Sequence, residues 1–258
     1  MSDLVIRQNV KPGLIRLTLN RPDAFNALSE NMLAAMQTAL DAIAKDETVK
    51  VVILAAAGKA FCAGHDLKEM RAAPSQDYYE GLFKQCTEVM MGILRLPQPV
   101  IAQVEGVATA AGCQLVAMCD LAVSADSARF AVSGVNLGLF CSTPSVALSR
   151  NIGRKEALYM LLTGEFISAE QAQQWGLINE VAPQADVAQA TEALAEKILK
   201  KPAPALRLGK RLFYEQVETN IARAYELAGQ TMACNMMDDT ALEGVQAFID
   251  KRAPNWST

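Results

Sequence analysis

Apolar residues recur along the chain with two different periods, and the change between them sets its layout. "LVIRQNV" and "GLIRLTLN" alternate as two strands around the turn signal Lys11-Pro12-Gly13. Ser29 is placed to cap a helix over 30–45, whose stripe is Met32, Met36, Ala39, Leu40 and Ile43. "VKVVILAAAG" is a continuous apolar run of strand length and reads as a buried strand. A glycine-containing loop then leads to a helix over 77–94 that buries Leu82, Phe83, Cys86, Val89, Met90, Ile93 and Leu94. "PVIAQVEG" is a strand, 110–119 a helix and "DLAVSAD" a strand. Strands separated by helices predict an α/β class with largely parallel pairing, and ligands beyond the strands' carboxyl ends.

From about residue 145 the pattern becomes almost purely helical. "PSVALSRNIG" and "RKEALYMLLTG" each end in glycine, a helix-stop signal, and helices follow over 168–175, 185–200, 203–235 and 238–250. The chain divides into an α/β core, 1–195, and a helical C-terminal region, 196–258.

Composition narrows the function classes. Half of the residues are hydrophobic and 20% are charged, which is globular rather than disordered. A net charge of −4 without a basic block argues against a nucleic-acid partner. The longest apolar runs are too short to span a bilayer, and "MSDLVIRQNV" lacks the apolar core of a secretory signal, so no membrane partner is expected. Six cysteines without CxxC spacing give neither a disulfide framework nor a zinc site, and fit a reducing, cytoplasmic compartment. His65 is the only histidine, and there is no HExxH or GxSxG. No metal is expected, and a Ser–His–Asp triad would have to use His65 itself.

Two loops leave the ends of consecutive strands: "GKAFCAGHDLKEM" (58–70) and "EGVATAAGCQL" (105–115). Gly64, Ala110, Ala111 and Gly112 allow close approach to the backbone, and the second loop opens a helix whose first N–H groups are unpaired. One N–H from each loop can converge on a single oxygen, an oxyanion hole at the positive end of a helix. Tight strand–helix packing explains the same small residues equally simply.

These loops, with "LTLNRPDAFNALS", "VVILAAAGKAFCAGHDLKEM", "PVIAQVEGVATAAGCQLVAMCDLAVSADSARF", "LLTGEFISAEQAQQWGLINEVAP" and "AFIDKRAPNW", carry a resemblance to the crotonase (enoyl-CoA hydratase/isomerase) family over nearly the whole chain. The resemblance implies repeated ββα units with a helical C-terminal trimerisation region, and a homotrimer or a hexamer built as a dimer of trimers. It implies an acyl-CoA thioester ligand and no separate cofactor, coenzyme A being part of the substrate. The thioester carbonyl would be held by the backbone N–H groups of His65 and Ala111. Main-chain groups of Ala63, Gly64, His65, Asp66, Leu67 and Lys68, with Ala24 and Phe25, would line the adenine and pantetheine. Phe248 and Lys251 match contacts to a neighbouring subunit's coenzyme A.

The resemblance also exposes departures. Family hydratases use two glutamates to position water and move a proton; their positions here are Gln114 and Gly134. A carboxamide cannot accept a proton at neutral pH, and Gly134 offers only backbone and space. Methylmalonyl-CoA decarboxylases of the superfamily share the "AGHD" loop, the "VNLG" segment and the ending, but place a tyrosine where Phe140 stands. Of the other polar residues near the expected acyl pocket, Ser142 or Thr143 is expected to cap a helix with Pro144 early in it, and Cys141 has no evident base. Asp66 and Glu69 are expected to fix their loop, and Glu80 is either a substitute carboxylate or a solvated one. Three readings follow: an acyl-CoA enzyme of the hydratase/isomerase group that relies on its oxyanion hole, a (methyl)malonyl-CoA decarboxylase-like lyase, and a non-catalytic acyl-CoA-binding protein.

Overall fold

The computed structural model describes residues 3–72 and 74–256. Strands β1 (Val5–Lys11) and β2 (Leu14–Leu19) form an antiparallel hairpin, and helix α1 (Glu30–Ala44) follows. Met32 donates its N–H to the Ser29 hydroxyl at 3.2 Å, the cap expected there. The next unit is β3 (Val51–Ala56), β4 (Ala60–Cys62), α2 (Leu67–Ala72) and α3 (Gln76–Arg95). After it come β5 (Val100–Val104), β6 (Val107–Thr109) and α4 (Ala111–Met118), then β7 (Leu121–Ala125), β8 (Arg129–Ala131) and α5 (Ser142–Asn151). Each of the three units after the hairpin is thus a long strand, a short strand and helix, and the hairpin with α1 completes the ββα repeat expected from the resemblance.

The repeat sorts its strands into two sheets. With β10 (Glu180–Ala182), the long ones form β1-β2-β3-β5-β7-β10, parallel from β2 onward. With β9 (Ile167–Ser168), the short ones form β4-β6-β8-β9. The remaining helices are α6 (Arg154–Thr163), α7 (Ala169–Trp175), α8 (Val187–Leu199), α9 (Ala203–Val217), α10 (Ile221–Met236) and α11 (Asp239–Ile249).

The run "VVILA" is apolar throughout because both faces of its strand are covered. Val52 and Leu54 join the main core with α1, α3 and α4, whereas Val51, Ile53 and Ala55 face a second cluster that includes Ala195 of α8. That helix, α8, runs on through residues 196–199.

Three expectations are corrected. The helix over 203–235 is two helices, because Asn220 accepts a hydrogen bond from the Arg223 N–H and restarts the chain after a break at 218–220. The loop 58–70 contains both β4 and most of α2. Neither Ser142 nor Thr143 caps α5; both lie inside it, flanked by Cys141, and the Ser142 hydroxyl turns back to the Phe140 carbonyl at 3.3 Å.

Buried polar contacts fasten the C-terminal helices to the core. Lys210 of α9 donates to the Ile93 and Gln98 carbonyls, each at 3.0 Å, and to Asp120 at 2.7 Å. The other Asp120 oxygen accepts the Tyr214 hydroxyl at 2.9 Å. Burial pulls the Lys210 ammonium below its usual value although Asp120 opposes the shift. Beyond that anchor, α9 and α10 bury no residue fully within the chain.

Candidate functional site

Strands β4 and β6 are parallel neighbours in the second sheet, so the loops at their carboxyl ends emerge side by side. Gly64 is where they touch. It has φ +91°, and a Cβ there would lie 2.9 Å from the Ala110 Cβ and 3.4 Å from the Ala111 nitrogen, so conformation and contact both require glycine. Gly112 is tighter: a Cβ would fall 2.0 Å from the Cys62 carbonyl oxygen.

The backbone around His65 is oriented by an isolated parallel bridge to Leu28. Leu28 donates to the Gly64 carbonyl at 2.8 Å and accepts from Asp66 at 3.3 Å. The His65 N–H, between those bonds, points to the other side. Ala111 is the first residue of α4, whose opening N–H groups have no partner within the helix. Among the described residues neither N–H has a backbone acceptor. Their loops meet at Gly64, and the first turn of α4 holds no acidic residue to offset the helix's positive end. The arrangement can bind an oxygen that gains negative charge.

Ala110 aims the Ala111 N–H. Its φ of 51° and ψ of −121° are a conformation that suits glycine, and no side chain caps the helix there. Ala110→Gly is expected to raise stability by about 1 kcal/mol, the relief of strain outweighing glycine's greater unfolded freedom. Urea unfolding at fixed protein concentration checks this; a lower midpoint would show that the alanine methyl contributes more by packing than it costs in strain.

The turn at 21–28 supports the first loop. Ala63 donates to the Phe25 carbonyl at 3.0 Å, and Arg21 pairs with Asp66 at 2.8 Å, which brings Ala24 and Phe25 against the segment from Ala63 to Asp66. Asp66 also accepts from the Lys68 and Glu69 N–H groups and caps α2. Burial works to raise its carboxyl, but Arg21 and those two N–H groups together hold it below its ordinary value. Leu67 and Lys68 are exposed on the first turn of α2. Glu69 accepts from the Glu30 N–H at 3.0 Å and so joins α2 to α1. Sequence reasoning passed over Asn26, which is fully buried, donates to the Ala57 and Ala60 carbonyls and accepts from Arg21. The available signal was an asparagine set between apolar residues in "DAFNALS".

The side chains expected from the sequence to line an acyl pocket are neutral. Gln114 is 5% exposed, and its Oε1 has no hydrogen-bond partner. The Thr109 and Ser133 hydroxyls bond each other at 3.0 Å. Gly134 does not offer the space expected of it. A Cβ there would lie 2.5 Å from the Leu139 carbonyl oxygen and 2.7 Å from the Cys141 sulfur, which accepts the Gly134 N–H at 3.3 Å. Burial raises the Cys141 thiol, unlike an activated nucleophile.

The His65 imidazole meets Phe83 edge-on at 5.3 Å, and its Nε2 is buried without a partner. Burial pushes its pKa down to about 4, so the ring is uncharged at neutral pH. The Tyr78 hydroxyl is likewise covered and unpaired. Glu80 is exposed and accepts from Gln76 one turn earlier, at 2.8 Å. Phe140 is half-exposed on the loop before α5. Phe248 lines a cleft of about 350 Å³ with Pro202, Ala205, Thr240, Gly244 and Trp256, and neither His65 nor Ala111 lines it; Lys251 follows α11 with φ 55°.

The enoyl-CoA hydratase/isomerase family model matches residues 9–258. The chain belongs to that family. Enoyl-CoA hydratase/isomerase relatives include the rat mitochondrial enoyl-CoA hydratase domain-containing protein 3, 46% identical over 95% of this chain and 82% of its own length. The 1,2-epoxyphenylacetyl-CoA isomerase of Escherichia coli is 32% identical over 98% of each chain. A crystal structure of an enoyl-CoA hydratase from Mycobacterium smegmatis superposes with a TM-score of 0.98 at 61% identity, covering 100% of both chains. The crotonase fold is thus common to this chain and its relatives. Among the described residues no helix is long and apolar enough to cross a membrane.

Proposed function

We propose that this member of the hydratase/isomerase family is an enzyme that binds an acyl-CoA thioester and polarises its carbonyl between the His65 and Ala111 N–H groups. The observation that carries the reading is the pair of unpartnered N–H groups brought together at Gly64, at the positive end of α4. Each such donor contributes about 3 kcal/mol toward a developing oxyanion. No metal or separate cofactor is required for this step.

The chemistry that follows is lyase or isomerase chemistry without the hydratase carboxylate pair. Gln114 cannot take a proton, the place of the second carboxylate is filled by Leu139 and Cys141, and Glu80 is in solvent. Crotonyl-CoA, followed at its conjugated thioester absorbance, is expected to be hydrated far more slowly than the roughly 10 per second typical of enzymes. Turnover at that rate would sink the reading. Retained binding of butyryl-CoA, seen as a rise in Tm, supports the coenzyme A part of it.

The protein acts as a trimer or a dimer of trimers in this reading. Phe213, Ile221, Tyr225, Met232 and Phe248, all more than half exposed on the C-terminal helices, support it. Six free cysteines, five of them buried, fit a reducing compartment such as the cytoplasm, although the animal relatives bear the word mitochondrial in their names.

A further inference from the structure

Lys210 does more than hold the helix it belongs to. Its ammonium reaches the Ile93 carbonyl in the last turn of α3 and the Asp120 carboxylate two residues beyond the end of α4. The last carbonyls of a helix lack partners and carry partial negative charge, so one buried cation suits both helix ends. Asp120 is itself held in place, accepting from the Val100 N–H at 2.6 Å and from the Tyr214 hydroxyl at 2.9 Å. A separate tie of α9 touches neither helix: Arg207 donates to the Glu47 carbonyl at 3.3 Å.

The two helices joined by Lys210 are the ones that border the hole. Helix α4 supplies the Ala111 N–H from its first residue. Helix α3 sets Phe83 edge-on against the ring of His65, the residue that supplies the other N–H. Val89, Met90 and Ile93 of α3 share the main core with Cys113 and Val116 of α4. At 1.5 Å of rise per residue α4 is about 12 Å long, and Ile93 stands roughly 15 Å from Phe83 along α3. Over such lengths a helix moves as a rod, so a tilt at the Lys210 end is felt at the hole.

We infer that Lys210, with Asp120, is a positioning residue for the hole: it sets the spacing of α3 and α4 from their far ends and so aims the two N–H groups. This rests on the oxyanion-hole reading above and adds to it a residue of the C-terminal helices. A purely structural anchor would hold α9 and leave the hole indifferent to its loss.

The test uses acetoacetyl-CoA, whose α-carbon gives a proton to solvent and leaves an enolate with its own near-ultraviolet band. The hole favours the enolate over the keto form, so the enolate fraction of the bound ligand at fixed pH reads charge stabilisation directly. Coenzyme A alone has no acyl carbonyl and reads the rest of the site. The Lys210→Met/Asp120→Asn double variant removes the tie without stranding a charge. Its bound enolate-to-keto ratio is expected to fall about fivefold while its affinity for coenzyme A stays native. Asp120→Asn alone, which keeps the lysine and is the milder change, is expected to show a smaller fall in the same direction. Arg207→Ala, which loosens α9 elsewhere, is expected to leave the ratio native. A native ratio in both Asp120 variants, or a loss of coenzyme A affinity as large as the loss of ratio, overturns the positioning role. So does an equal fall of the ratio in Arg207→Ala. If the native protein binds neither ligand, or binds acetoacetyl-CoA with no rise in its enolate fraction, the reading of the hole fails and this inference with it.

Discussion

Gly112→Ala is expected to destabilise the protein by about 2 kcal/mol or more and to weaken its binding of acyl-CoA. The added methyl would sit 2.0 Å from the Cys62 carbonyl oxygen, well inside contact distance, and backbone there cannot rotate away as a side chain would. The start of α4 must move away from β4, and the proposed oxyanion hole depends on the approach of those two segments. Displacing one donor from an oxyanion hole costs on the order of 3 kcal/mol in the transition state, where the charge develops, and less for the uncharged ground-state carbonyl. Urea unfolding and butyryl-CoA titration report the two effects separately. Native stability with native affinity would mean that the segments tolerate separation and that their contact does not set the site.

Lys210→Met is the other large expectation, a loss of about 3–5 kcal/mol. The variant keeps the volume but leaves Asp120 buried with the Tyr214 hydroxyl and the Val100 N–H as its remaining partners. Adding Asp120→Asn removes the stranded charge and is expected to recover a large part of the loss. A single variant as stable as the native protein would show that the pair is solvated well enough to be dispensable.

Much of the layout was legible because burial imposes a pattern. The double-sided run at 51–55 and the stripe of α1 are read directly from residue spacing, as is the Ser29 cap. The second sheet was not legible. Its strands are two or three residues long, as at Ala60–Cys62 and Val107–Thr109, too short to show alternation. Yet it is this sheet that brings the two loops together, so the sequence named the two loops without the reason they meet. Gly134 failed differently. Its surroundings are filled by Leu139 and Cys141, five and seven residues on, through a short helical turn that no periodicity announces. The break at 218–220 did have a signal, since Asn220 is a good N-cap residue. The apolar residues that continue beyond it had masked the stop.

The way α9 and α10 are held has a consequence for dilute solutions. Apart from the Lys210 anchor, these helices bury none of their apolar side chains fully, and Phe213, Ile221, Tyr225 and Met232 lie more than half exposed, so little offsets the entropy of ordering them in the isolated chain. Association of protomers over those faces would make the folded state of this region a function of protein concentration, with thermal midpoints that rise as the solution is made stronger. Dilution would then loosen the C-terminal helices before it reached the two sheets that carry the hole.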